Sequence, residues 1–269
     1  MITARRSNQR GSSKFNWLDS RHTFSFGDYY DPKQMGFGDL RVINEDRVIA
    51  AAGFPTHSHR DMEIITYVLE GALAHKDSTG TSSTIQVGDV QRMSAGTGIS
   101  HSEYNASQTE PVHFLQIWII PNETGLVPGY EQRSFEIQKK SGSWVLVAAP
   151  DARDGAVKIH QDAELSLAVV PKAKQLTYAL RPGRRAWLQV VRGKVTLNGS
   201  SLDAGDGAAI NDERLLNFKA LAHGEILCLI LSEARLPNIT PKSPDQTSGM
   251  RQVQTLSVCG ICVLTKKMR

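Results

Sequence analysis

Cysteine and long apolar runs are both scarce in this sequence, and each scarcity excludes a class of protein. Its three cysteines, Cys228, Cys259 and Cys262, are too few for a disulfide framework, and the last two lack the second ligand pair of a zinc site. No segment approaches the roughly 20 apolar residues of a membrane helix. The first residues lack the apolar core of a secretory signal, so we expect a cytoplasmic protein without membrane association.

An excess of charge is also missing from most of the chain. The formal net charge is +4 and the pI is about 9.0. From residue 238 onward there are five basic residues against one acidic residue, so the remainder is formally neutral. Because nucleic-acid binding needs a concentrated basic face, we expect no direct contact with nucleic acid.

Helical periodicity is rare, whereas short runs rich in Val, Ile, Tyr and Thr recur between Gly, Asp and Pro. This pattern is typical of an all-β protein. The clearest predicted strands cover residues 62–69, 71–77, 84–87, 112–120, 144–148, 163–169, 174–179, 186–192, 194–198 and 226–231.

Two parts of the chain share one order of signals, which predicts a repeated β-barrel. Residues 67–73 read as strand, Gly turn and strand, and lead to Gly88-Asp89; residues 189–195 do the same and lead to Gly205-Asp206. We predict an N-terminal barrel over residues 1–130 and a C-terminal barrel without metal ligands over residues 131–235. Residues 236–269 are expected to be a disordered or non-native tail.

Two short pairs in the first half carry the clearest chemical signal. His57 and His59 are two residues apart, as are His101 and Glu103, and both pairs lie in strand-like sequence. Side chains at i and i+2 of a strand share one face, so two facing strands would bring three imidazoles and one carboxylate together. That donor set suits a divalent transition metal with positions left for O2 or substrate. Spacing alone leaves open that these are ordinary surface or core histidines.

The surrounding sequence resembles the two motifs of cupin barrels. Gly53, His57, His59, Glu63 and Gly71 follow the order of the first motif, and residues 88–105 follow that of the second, although His101 lies two residues late. Specific phrases occur in order at residues 17–20, 22–26, 30–32, 40–44, 66–71, 94–99 and 116–119. By these phrases the chain is identified as a member of the pirin family, the bicupins, and over residues 2–232 it resembles the bacterial pirin-like quercetin 2,3-dioxygenases.

The resemblance implies a fold, a site and an activity. It implies two double-stranded β-helix barrels, with His57, His59, His101 and Glu103 as ligands of one divalent metal. Iron is favoured, and the ligand set also accepts Mn, Ni, Co, Cu or Zn. The implied reaction is dioxygenation of a flavonol such as quercetin with release of CO. A carboxylate is the expected base for the substrate hydroxyl, and Glu103 could serve if its bond to the metal is weak. The implied partners are the planar aromatic substrate and O2, and packed barrels could bury most apolar surface in a monomer.

Two other functions remain open at this point. Pirin relatives in eukaryotes act as transcriptional co-regulators whose iron state changes partner binding, so this chain could be a metal-dependent regulatory binding protein. It could also be a degenerate bicupin kept for its structure, which the intact ligand quartet argues against.

Several further residues are candidates for supporting roles. Glu63 is expected to orient a ligand histidine, and Phe54 and Phe114 could line an apolar mouth for the substrate. His22 is not placed by the sequence, since it could approach either the site or the second barrel. The other histidines are expected to be packed, hydrogen-bonded or exposed: His75, His113, His160 and His223.

Overall fold

The computed structural model of the chain describes residues 1–233, which contain 22 strands and two short 3₁₀ helices, Ser7–Gln9 and Arg153–Gly155. The strands are β1 (Ile2–Arg5), β2 (Gly11–Lys14), β3 (Leu18–His22), β4 (Leu40–Val48), β5 (Gly53–His59), β6 (Glu63–Glu70), β7 (Ala72–Asp77), β8 (Ser82–Gln86), β9 (Asp89–Ser94), β10 (Ile99–Asn105), β11 (Val112–Ile119), β12 (Gly129–Ser134), β13 (Val145–Ala149), β14 (Val157–Lys158), β15 (Ala163–Val170), β16 (Gln175–Ala179), β17 (Arg184–Arg192), β18 (Lys194–Leu197), β19 (Ser200–Asp203), β20 (Gly207–Ile210), β21 (Leu215–Ala220) and β22 (Gly224–Ser232). Each predicted strand has an observed counterpart, and the all-β prediction is confirmed. Within the described range no helix is long and apolar enough to cross a bilayer.

The first barrel consists of two facing sheets. One has seven strands in the order β12-β9-β6-β11-β4-β3-β2, and the other has four in the order β5-β10-β7-β8. Apolar side chains from both sheets meet between them, among them Val68, Leu73, Ile85 and Phe114. These apolar contacts fill one part of the barrel interior. The polar side chains of β10 and β11 occupy another part.

The second barrel repeats this plan with a different interior. Its sheets have the orders β1-β20-β17-β22-β15-β13-β14 and β16-β21-β18-β19. The space between them is filled by apolar residues such as Leu188, Leu197, Phe218 and Ile226. Among the described residues, both groups of potential metal donors lie in the first barrel, because the second barrel is packed with hydrocarbon where such donors would have to sit.

The two seven-stranded sheets pack back to back. Along β11, Phe114 faces the first barrel, whereas Leu115, Ile117 and Ile119 join a core shared with Leu229 and its neighbours on β22. Successive side chains of a strand point to opposite faces, so a strand covered on both sides is apolar almost throughout. This explains the near-continuous burial of β6, β11 and β22.

The glycines of the repeated strand-turn-strand signal make the same kind of turn. Gly71 and Gly193 have φ of +73° and +76°, in the left-handed region that favours glycine. A Cβ at Gly71 would lie 2.7 Å from the carbonyl oxygen of Pro111, and one at Gly193 2.1 Å from that of His223. The sequence repeat therefore marks a turn in each barrel that lies in close contact with a neighbouring backbone segment.

The observed strands differ from the predicted division at residue 130 in two places. β1 belongs to the sheet of the second barrel, where Ile2–Arg5 pairs with β20. β12 crosses the predicted boundary and pairs with β9 of the first barrel. The N-terminal segment is held in the second barrel by the Arg6–Asp206 ion pair at 2.8 Å, and Arg5 ties it to the first barrel by donating from Nε to the Thr23 carbonyl at 3.0 Å. Residues 236–269, the predicted tail, lie outside the described residues.

Candidate metal centre

Three predicted ligand histidines meet on one face of the four-stranded sheet. β10 lies beside β5, with His101 directly opposite His57 and Ile99 opposite His59. Residues opposite each other in an antiparallel pair point to the same face. The ring centroids of His57 and His101 are 4.5 Å apart, those of His59 and His101 are 4.9 Å apart, and those of His57 and His59 are 4.8 Å apart.

Glu103 shares this face because it lies two residues beyond His101 on β10. Potential donor atoms of His57, His59 and His101 lie within 4.8 Å of one another, and those of His75, His101 and Glu103 form a second such group. His101 belongs to both groups, so the Glu103 carboxylate lies next to the histidine cluster. The structure therefore brings the four sequence-predicted ligands into one neighbourhood, and it adds His75.

The two oxygens of Glu103 have different surroundings. The Gln116 amide donates from Nε2 to Oε2 at 2.5 Å. Oε1 is buried and has no hydrogen-bond partner among residues 1–233. A buried carboxylate oxygen without a partner is costly. A cation bound beside it would satisfy this oxygen, so the carboxylate fits a divalent metal.

The backbone next to His57 determines which of its ring nitrogens carries the proton. The register between β5 and β10 shifts between His101 and Glu103, next to Pro55, which cannot donate to the strand ladder. The Pro55 carbonyl lies 2.8 Å from Nδ1 of His57. Because a carbonyl only accepts, Nδ1 carries the proton and Nε2 keeps the lone pair that a metal requires.

His59 and His101 are held in the neutral form. Burial, together with the neighbouring imidazoles, lowers the pKa of each to about 3. Their Nε2 atoms are 3.0 Å apart. Neutral imidazole is the form that binds metals, so neither residue needs to lose a proton to solution before coordination.

Three other histidines lie outside this cluster. His113 is buried and its Nε2 lies 3.0 Å from Oε1 of Glu45. His22 contacts Asn44 through Nδ1 at 2.9 Å, inside the first barrel. His223 is exposed.

Glu63 bonds to a different histidine from those in the cluster. Its Oε2 accepts from the backbone N–H of His160 at 3.2 Å and lies 3.4 Å from the ring Nδ1 of His160. Glu63 is fully buried and tethers the two barrels at this point. No hydrogen bond from Glu63 to His57, His59 or His101 exists in the described part of the chain, in contrast to the predicted role of orienting a ligand.

The aromatic surface beside the cluster differs from the predicted one. Phe114 is fully buried in the barrel core, and Phe54 packs edge-on against Trp17 at 5.1 Å. Trp118 instead packs edge-on against His59, with ring centroids 4.9 Å apart, and Phe26 contacts Trp118 at 5.4 Å. Trp118 and Phe26 are half-buried. Sequence reasoning missed them, although strand alternation from Gln116 places Trp118 on the same face.

The interior of the first barrel near Glu103 is polar. Buried atoms without hydrogen-bond partners among the described residues include Oδ1 of Asp46, Oγ1 of Thr66 and Oε1 of Gln91. Burial raises the pKa of Asp46 to about 7; the Ser20 hydroxyl opposes this rise, and the negative charges of Glu103 and Glu45 add to it. Asp46 therefore titrates near neutrality in the metal-free protein.

Replacing Asp46 with asparagine is expected to stabilise the metal-free protein at alkaline pH. The raised pKa means that the folded state holds a proton that the unfolded chain has released. The wild type therefore loses stability as the pH rises from about 4 to about 7, and Asp46→Asn removes this loss. Urea unfolding should show that, from pH 5 to pH 8, the unfolding free energy of the variant rises by about 2 to 3 kcal/mol relative to that of the wild type. A difference that is independent of pH would contradict the assignment.

Gly53 is required where β5 crosses β10. A Cβ at this position would lie 2.3 Å from the Glu103 carbonyl oxygen and 2.5 Å from Cα of Tyr104. Gly53→Ala should therefore push the strands apart and cost about 1 to 3 kcal/mol of unfolding free energy. Gly129→Ala is the matched control, since its Cβ would meet only the Arg92 guanidinium at 3.5 Å. Urea denaturation of both variants checks this, and equal losses would contradict it.

The fold and the site define a bicupin whose N-terminal barrel holds a polar cluster of imidazoles and a carboxylate. The family model described as Pirin matches residues 3–119, and the model described as the quercetinase C-terminal cupin domain matches residues 146–231. The chain belongs to the pirin family.

Its relatives are similar over nearly their whole lengths. An Escherichia coli K12 protein named quercetin 2,3-dioxygenase is 51% identical over 228 residues, which cover 84% of this chain and 97% of that protein. A pirin-like protein of Caulobacter vibrioides is 40% identical over 228 residues, covering 84% and 98%. The crystal structure of the bacterial pirin YhhW from Escherichia coli in complex with nickel(II) matches with a TM-score of 0.82 at 50% identity, covering 86% of this chain and 99% of that one.

Proposed function

We propose that this protein is a metal-dependent dioxygenase that opens the heterocycle of a flavonol such as quercetin and releases CO. The observation that carries the proposal is a group of three imidazoles that shares His101 with a second group containing Glu103, whose buried Oε1 has no partner in the described chain. The names of the relatives support the reaction, and the nickel(II) complex of a relative that is 50% identical supports a divalent metal.

In this proposal His57, His59, His101 and Glu103 hold the metal. Two of the imidazoles are prepared for this role, since His57 keeps its Nε2 lone pair through Pro55 and His101 is neutral through burial. When bound, a divalent metal supplies a Lewis acid that lowers the pKa of the flavonol 3-hydroxyl. Iron remains our preferred ion, because Fe(II) suits O2 chemistry with imidazole and carboxylate ligands.

Glu103 is proposed as the base as well as a ligand. Gln116 donates to Oε2, and Oε1 has no hydrogen-bond partner in the described part of the chain. We propose that Oε1 is a weakly bound ligand that detaches and accepts the proton of the 3-hydroxyl, since a carboxylate within hydrogen-bond reach is a competent general base. O2 then oxidises the flavonolate: its two oxygen atoms bond to C2 and C4, the C2–C3 and C3–C4 bonds break, and C3 leaves with its own oxygen as CO. The proton held by Glu103 returns to the ring-opened product.

Trp118 and Phe26 are proposed to bind the planar rings of the substrate. Trp118 touches His59, and both aromatic side chains are half-buried beside the cluster. Large aromatic surfaces bind planar aromatic ligands by stacking and by apolar burial. This pair takes the place of Phe54 and Phe114 in the account of substrate binding.

The proposal is tested by the stoichiometry of the reaction. Iron-loaded protein is given quercetin, and loss of quercetin, uptake of O2 and release of CO are measured together. We expect the three quantities to be equal within error, because each flavonol consumes one O2 and yields one CO. Stoichiometric metal without turnover, together with partner binding that depends on the iron redox state, would favour the regulatory function instead.

A further inference from the structure

We propose that Asp77 and His75 form a hydrogen-bond relay that fixes the tautomer of His101, so that its Nε2 lone pair faces the metal position. The inference rests on the proposed metal site and assigns two residues that the ligand motifs do not include. β7 lies beside β10 on the side opposite β5, with Asp77 opposite His101 and His75 opposite Glu103. Both therefore point to the face that carries the ligands.

The relay begins at Asp77, whose two oxygens have separate partners. Oδ1 accepts from the backbone N–H of Thr79 at 2.9 Å, from the Thr79 hydroxyl at 2.6 Å and from the backbone N–H of Thr81 at 3.2 Å. Oδ2 lies 3.0 Å from Nε2 of His75. Since the carboxylate can only accept, Nε2 of His75 carries the proton.

His75 transmits this constraint to His101. The His75 side chain is fully buried, so water does not compete for its nitrogens. In the relay His75 carries a single proton, on Nε2, and so presents a lone pair at Nδ1, which lies 3.4 Å from Nδ1 of His101. His101 must then donate from Nδ1, which leaves Nε2 unprotonated beside His59.

The same contacts separate this role from direct ligation by His75. His75, His101 and Glu103 form a group that could hold an ion, but both nitrogens of His75 are already engaged, one with Asp77 and one with His101. His57 obtains the same tautomer from the Pro55 carbonyl. The relay therefore fixes the tautomer of His101, as the Pro55 carbonyl fixes the tautomer of His57.

Asp77→Asn reverses the relay almost without a change of shape. The three donors from Thr79 and Thr81 require an acceptor, so the amide oxygen takes the position of Oδ1 and the amide NH₂ faces His75. His75 must then accept at Nε2 and donate from Nδ1. His101 has to accept at Nδ1, which puts its proton on Nε2, where it blocks the metal.

His75→Gln and His75→Leu separate a relay from a ligand. The side-chain amide that His75→Gln introduces can donate to Asp77 and accept from His101, so it keeps the polarity of the relay, whereas leucine does neither. The matched control is Glu45→Gln, which alters another buried carboxylate–imidazole pair, Glu45–His113 at 3.0 Å, away from the cluster.

The test measures Ni²⁺ affinity of the untagged full chain by competition with a chelator. Partners of ligand histidines typically change metal affinity 10- to 100-fold. We expect Asp77→Asn and His75→Leu to bind Ni²⁺ about 10- to 100-fold more weakly than the wild type. His75→Gln and Glu45→Gln should stay within about 3-fold, an allowance well below that range.

Nitrogen NMR of the metal-free protein provides the second readout. We expect His101 to be protonated on Nδ1 and His75 on Nε2 in the wild type, with both reversed in Asp77→Asn. Wild-type affinity with an unchanged His101 tautomer in Asp77→Asn would overturn the relay, and so would a loss in His75→Gln as large as in His75→Leu. If the wild type itself does not bind Ni²⁺, the proposed metal site fails, while the tautomers still decide the relay. If Asp77→Asn does not fold, the two His75 variants decide it.

Discussion

Replacing Glu103 with glutamine is expected to lower quercetin turnover by at least ~100-fold, the usual contribution of a positioned general base. Gln116 donates to Oε2 of Glu103, so the amide oxygen of the introduced glutamine should take that position. The amide NH₂ then takes the place of Oε1. It can neither accept the substrate proton nor donate a lone pair to a metal, so proton transfer and ligation are both weakened.

Glu63→Gln is the matched control for this variant. Glu63 is also a fully buried carboxylate of the first barrel, but it bonds to His160. Turnover by Glu63→Gln should stay within about 3-fold of the wild type, a much smaller change than the loss of a general base causes. Steady-state kinetics with quercetin and O2 measures both variants. Full activity of Glu103→Gln would remove Glu103 from the mechanism, and equal losses in the two variants would point to a general effect on the fold.

His101→Ala is expected to abolish metal binding and turnover together. His101 is the residue common to both groups of potential donors, and it touches His57, His59 and His75. Its loss removes a ligand from the centre of the cluster. Since changes to the partners of ligands already cost 10- to 100-fold in affinity, we expect a loss of more than ~100-fold here.

The control for His101→Ala is His113→Gln. His113 is a buried histidine of β11 that bonds to Glu45 and has no contact with the cluster. Metal content by mass spectrometry and turnover should both be preserved in this variant. Retention of metal with full turnover by His101→Ala would contradict the proposed ligand set.

Strand spacing predicts which of the candidate ligands share a face of the sheet. The i, i+2 pairs place His57 with His59, and His101 with Glu103, whatever the register. The register between β5 and β10 then sets His101 opposite His57. His75 and Asp77 have the same spacing within a predicted strand. Their role was not predicted because it depends on β7 lying beside β10, and a sequence does not state which strands are neighbours.

Other differences between the predicted and the observed structure also arise from contacts between segments that are distant in the chain. β1 joins the second barrel because Ile2–Arg5 completes the edge of its seven-stranded sheet, about 200 residues away in the chain. Phe114 and Trp118 lie on the same face of β11, yet one is in the barrel core and the other beside His59. Alternation gives the face of a residue, but its depth along the barrel depends on the packing of the neighbouring strands.

Anaerobic metal analysis of untagged wild-type protein, followed on the same sample by quercetin turnover, tests the central claim most directly. If the three imidazoles and Glu103 form one centre, the chain should retain about one divalent metal ion, because an assembled site binds the ion in the folded state. Turnover should follow metal content and disappear when the metal is removed by a chelator. A wild type that takes up no metal, or whose turnover is unchanged without it, would contradict the account.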